Sequence, residues 1–376
     1  MHPPAGRRGF PLGAAALGCV AASVLMLAPA FADDNWSKAL VRRGIDPALV
    51  ENPIAITPAI KSAAESFSGG TGGTIDALRR MQNALFDTSR FTFDYEQRLT
   101  ETAADALASG RGNCVAFTNL FIAMARSRGL QVSAGYITPR VTGVRRGDLV
   151  YVNTHVVAVY PLHDRYVVFD FYRTREESTS RIRLLDDFEL AALYVNNRAV
   201  EALGAGEFEL AEARLLQVLK LAPKFAAAHG NLGVLRRRRG DIPGALDAYR
   251  NALALDPRDP SILGNLAALY SGIGREREAK AALALADLSR ATPYTVLARG
   301  DLEAADGRVD AALRYYRKAA RLDPKIPDPY VSIARLARSA GRVNDARKAA
   351  ERALKLDPDN AEAHAILAIL AGGEGR

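Results

Sequence analysis

The 376-residue sequence predicts two units of different fold class, an α+β unit over residues 75–191 and an all-α superhelical array over residues 192–371. Three observations carry this division. A 34-residue period runs through the second half. Two β-rich segments, 151–160 and 165–172, flank a turn signal in the first half. A cysteine, Cys114, stands directly before a dense apolar stretch with helical character.

The order along the chain begins with residues 1–32, which read as a secretory signal. Arg7 and Arg8 precede an apolar run, and Ala30-Phe31-Ala32 presents small residues for cleavage after Ala32. Cleavage predicts a periplasmic or secreted protein. Two alternatives stay open: lipidation at Cys19, and an uncleaved anchor, since the apolar run is about as long as a bilayer core requires. A membrane is a partner only if the signal stays uncleaved. Residues 33–74 read as an N-terminal segment and linker, with the flexible stretch SFSGGTGGT at its end.

Helical segments are expected over about 75–86 and 100–108. The next stretch, GRGNC, leads into VAFTNLFIAMARSRG, where Gly129 is the expected stop. Cys114 therefore falls in the first turn of a buried helix. The partial positive charge there favours a thiolate, and the first-turn amides can receive an oxyanion. Pro161-Leu162-His163-Asp164 separates the two β-rich segments. A hairpin centred between Leu162 and His163 sets residues whose numbers sum to 325 opposite each other, so His155 faces Asp170. Directly opposed side chains have Cβ atoms about 4.5–5.5 Å apart, which suits a carboxylate that orients an imidazole. Asn113, Tyr151, Asn153 and Tyr172 are cleft candidates, and His163 reads as a turn residue. No cofactor or metal is called for: the two cysteines and five scattered histidines form no zinc pattern and no disulfide scaffold.

In the second half, Gly206, Gly240, Gly274, Gly307 and Gly341 are spaced by 34, 34, 33 and 34 residues, and Ala211, Ala245, Ala279, Ala312 and Ala346 follow five residues later. Glycine ends the first helix of each unit, alanine lets two helices approach, and Pro223, Pro257, Pro324 and Pro358 close four units. The five units are 192–225, 226–259, 260–292, 293–326 and 327–360, with a closing helix over 361–371 and a tail over 372–376. Asn197, Asn231 and Asn265 recur at one repeat position and are candidates for holding the backbone of an extended peptide. Arg237, within the run 236–239, is a candidate for an acidic partner. The formal charge is +8, and 29 basic against 23 acidic residues place most of the excess after residue 191. With an exported chain, nucleic acid is not an expected partner.

Two resemblances follow. The unit GNLGVLRRRRGDIPGALDAYRNALALDP resembles the tetratricopeptide repeat, a family of superhelical protein-binding arrays. The segment ADALASGRGNCVAFTNLFIAMARSRGLQV, with the chain order Cys114, His155, Asp170, resembles the papain-related transglutaminase-like superfamily of cysteine enzymes. Arg126 and Gly129 fit that superfamily's helix end. The resemblance implies a papain/transglutaminase-like α+β fold and a Cys-His-Asp triad acting on peptide or isopeptide-type amides. Its upstream oxyanion donor finds no firm match, Gln97 being the nearest glutamine. A silent domain within an envelope scaffold is the alternative function. Either way, a protein or peptide in the array groove is the implied partner.

Overall fold

The computed structural model describes residues 33–373 apart from 90, 147–148, 164, 172–174, 179–181 and 291. The expected signal over 1–32, Tyr172 and residues 374–376 lie outside the described residues.

Residues 33–74 are more than a linker. They form α1 (Asp33–Val41) and α2 (Pro58–Ser68), whose Trp36, Leu40, Ile60 and Ala64 join the core of the following unit. The glycine-rich stretch then leads into α3 (Thr74–Ala84). A short parallel pair, β1 (Asp94–Tyr95) with β2 (Arg111–Gly112), brackets α4 (Ala103–Ser109). The central element is α5 (Cys114–Ser127), buried from Val115 through Ala125. Its apolar density leaves no solvent stripe, the signature of a helix enclosed on all sides.

Five antiparallel strands complete the unit: β3 (Ser133–Arg146), β4 (Leu149–Leu162), β5 (Arg165–Phe169), β6 (Arg175–Ser178) and β7 (Ile182–Leu185), in spatial order β6-β5-β4-β3-β7. The β4–β5 hairpin exists, but its register differs by two residues from the expected one. Ala158 pairs with Phe169 and Leu162 with Arg165, so paired numbers sum to 327. The strand therefore runs on through Leu162, and His163 just after it takes φ 54°. A positive φ at the first turn residue belongs to the tight hairpin turns that match strand twist.

Helix pairs follow: α6 (Asp187–Ala205) and α7 (Phe208–Leu221), α8 (Ala226–Arg238) and α9 (Ile242–Leu255), α10 (Pro260–Gly272) and α11 (Glu276–Arg290), α12 (Pro293–Ala305) and α13 (Val309–Leu322), α14 (Asp328–Ser339) and α15 (Val343–Leu356), then the closing α16 (Ala361–Gly373). The five periodic glycines take φ from 71° to 85°, and the five periodic alanines are fully buried between paired helices. The first pair begins at Asp187, inside the segment assigned to the preceding unit.

That overlap has a physical basis. Helix α6 packs into both units, and a single apolar core runs from Trp36 through Phe117 and Ala199 to Leu266. Trp36 stacks on Phe188 of α6 at 5.0 Å, and its indole N–H donates to the Val50 carbonyl at 3.1 Å. Arg126 at the end of α5 makes two charged hydrogen bonds, of 2.8 and 2.9 Å, to Asp187 at the start of α6. Trp36→Ala removes the indole from this junction and is expected to cost about 3–5 kcal/mol. Chemical unfolding followed by circular dichroism checks this, and strand and solenoid signals should weaken together.

Candidate active site

The nucleophile candidate is built by local chain chemistry. Gly112 takes φ 153°, and a Cβ there would lie 2.4 Å from that of Ala116, so only glycine lets β2 turn tightly into α5. Asn113 is the N-cap of α5. Its side-chain oxygen accepts from the Val115 and Ala116 amides at 3.0 and 3.1 Å, and it is only 6% exposed. Asn113 is therefore a buried cap and not a cleft residue. The same bonds remove the Val115 and Ala116 amides from the oxyanion role expected of them. Cys114, half-buried, is the first residue of the helix.

His155 lies on β4 opposite Ile137, at the last regular pair before the β3–β4 ladder shifts register. Such irregularities re-aim side chains next to functional sites. The neighbouring Asp170 carboxylate and then Cys114 raise the His155 pKa to about 9, against the opposing effect of burial. The structure thus brings all three sequence-predicted residues together. The Nε2 of His155 stands 3.5 Å from Oδ2 of Asp170. A two-residue register shift preserves the face on which each side chain lies. His155 and Asp170 become diagonal neighbours instead of directly opposed ones.

Asp170 is 1% exposed and sits just past the end of β5. Aromatic rings fix both of its neighbours. Phe169 stacks on Phe121 at 4.9 Å, and Phe171 meets Tyr95 at 5.0 Å and Phe86 edge-on at 5.2 Å. Gln82 of α3 donates its amide to the Asp170 carbonyl at 2.7 Å. Sequence reasoning missed Gln82, although a polar residue among Leu78, Met81 and Leu85 on the buried face of α3 was the available signal. Thr118 donates to the Val156 carbonyl at 3.2 Å, tying α5 to β4 beside His155.

The remaining candidates divide. Tyr151 and Asn153 lie on β4, paired with Val144 and Thr142 of β3. Gln97 is exposed. The amide of Asn231 donates to the side chain of Asn196 at 2.9 Å, and Asn265 is 7% exposed, so these asparagines lie within the helix stack, while Asn197 is half-buried. Arg237 is half-buried on α8. Its neighbours Arg236 and Arg238 donate to the carbonyls of Gly244 and Leu203, and Arg239 pairs with Glu212 at 2.7 Å.

Comparison with known proteins agrees with this division. Residues 61–171 match the model of the transglutaminase-like superfamily, and residues 196–260, 236–295 and 303–370 match tetratricopeptide repeat models. The chain therefore carries a transglutaminase-like domain followed by a tetratricopeptide array. Similar solved structures include that of Pseudomonas aeruginosa PilF, with 23% identity, TM-score 0.42 and coverage of 50% of this chain and 86% of that one. A thermophilic tetratricopeptide protein from Thermus thermophilus has 21% identity and TM-score 0.44, with 48% of this chain and 98% of that one covered. The photosystem I assembly protein Ycf3 of Cyanophora paradoxa is 30% identical over 101 residues, 27% of this chain and 46% of that protein. The chain thus spans less than half the length of that relative.

The raised His155 pKa has a defined sign. Stability contributed by its cation is complete below the ordinary value near 6.5 and is lost as pH rises through about 9. Asp170→Asn removes the first-named cause, so the His155 midpoint should fall toward 6.5. NMR titration of the imidazole proton measures the change, and an unmoved midpoint would show that Asp170 does not hold the cation.

Proposed function

We propose that the transglutaminase-like domain is a thiol enzyme that cleaves or transfers peptide or isopeptide-type amides, and that the array recruits the protein that carries them. The observation that carries this reading is the Nε2 of His155 standing 3.5 Å from Oδ2 of Asp170, with Cys114 among the neighbours that raise its pKa to about 9. The thiolate is the attacking form of a cysteine. The thiolate attacks the amide carbonyl and forms a C–S bond. His155 then gives its proton to the departing nitrogen as the C–N bond breaks, leaving a thioester. Water or an amine attacks that thioester, His155 takes the attacking proton, and the thiolate leaves. Asp170 holds the imidazole, and the positive end of α5 favours the developing oxyanion. The signal read over residues 1–32 supports work in the periplasm or outside the cell, after cleavage following Ala32.

A thiol-directed activity probe tests the reading at neutral pH. Labelling should occur at Cys114 and fall on the order of 10²–10⁴-fold in His155→Ala, the usual contribution of a general base. Labelling that ignores His155 would defeat it.

A further inference from the structure

The cap of the nucleophile's helix does not stand alone. The Nδ2 of Asn113 donates to the Thr100 hydroxyl oxygen at 2.7 Å. Thr100 in turn donates its backbone N–H to Glu201 at 3.1 Å. Glu201 is on α6, the first helix of the solenoid, and its other oxygen accepts from Arg198 at 2.9 Å. Glu51, Glu101 and Asp105 also face this junction.

The direction of each bond matters. An ionised carboxylate only accepts, so Glu201 holds the Thr100 backbone, and with it the hydroxyl that Asn113 meets. The hydroxyl oxygen offers a lone pair to Asn113, which presents its NH₂ there. The Asn113 amide has one acceptor atom, and this orientation aims that oxygen at the Val115 and Ala116 amides. With the amide reversed, NH₂ would meet N–H, the cap would be lost, and the first turn carrying Cys114 would loosen.

We infer that Glu201 is a positioning residue for Cys114, acting through Thr100 and Asn113, so that the docked solenoid helix sets the reactivity of the thiol in the neighbouring domain. The inference rests on the proposed thiol chemistry for its consequence, but not for its hydrogen bonds. It makes the first repeat part of the site's support, in addition to any part it has in recruiting a protein.

Four variants of the full chain test it, Glu201→Ala and Thr100→Val, which break the relay, and Glu201→Gln and Thr100→Ser, which keep an acceptor at each step. Iodoacetamide alkylation of Cys114 is followed from pH 5 to 10, roughly the span over which thiols and imidazoles ionise, with thermal unfolding recorded alongside. The breaking variants should alkylate about fivefold more slowly at neutral pH, the size of one lost helix cap, with the rate–pH profile displaced upward. The conserving variants should follow the parent chain. Unchanged rates and profiles in Glu201→Ala and Thr100→Val would overturn the inference, as would an equal loss in all four. Hydrogen exchange at the Val115 and Ala116 amides separates this result from the proposed function. Faster exchange in the breaking variants alone supports the relay even if alkylation ignores His155, and unaltered exchange counts against it.

Discussion

The architecture depends on one helix belonging to two units. Helix α6 is the first helix of the array by repeat position, yet its apolar face closes the core around α5. Asp187 and Glu201 are 14 residues apart on α6, about 21 Å of helix. They hold opposite ends of α5, Asp187 through Arg126 and Glu201 through Thr100 and Asn113. The Arg126–Asp187 pair is mostly shielded from water, with side chains 10% and 12% exposed. Leaving either charge there without its partner would be costly, so the pair also fixes register between the helices. The result is a solenoid joined rigidly at its first repeat and not hung from a linker.

Around that axis the site is assembled from stiff parts. Asp170 lies between two phenylalanines that pack into one aromatic cluster, and its carbonyl is held by a buried glutamine. His155 sits at the edge of a ladder irregularity, on a strand that Thr118 ties to the cysteine helix. Neither residue can drift without disturbing the core. Such support matters to the proposed thiol chemistry, because proton transfer of that kind tolerates little misalignment.

Some features were legible because they are local. Repeat glycines, alanines and prolines recur with a period, and a single helical hairpin explains each of them. The chain order Cys114, His155, Asp170 was legible too, together with the helix start and the hairpin. Other features were not. Asn113 looked like a cleft residue because nothing local distinguishes a polar side chain facing solvent from one turned back onto its own helix. The asparagine series suggested a docking ladder, but Asn231 bonds to Asn196 in the neighbouring repeat, a contact between residues 35 apart. Residues 33–74 read as a linker because their apolar residues find partners only in distant segments.

The sequence alone determined the two fold classes, the repeat length, and which three side chains could form a nucleophilic centre. These follow from periodicity, from helix-end chemistry and from the alternation of strand faces, all properties of short stretches. The tertiary structure decided the hairpin register, the orientation of the Asn113 amide, the burial of Gln82 and the sharing of α6. Each of these depends on groups far apart in the chain competing for the same hydrogen bond or the same buried surface, and only the assembled core resolves that competition.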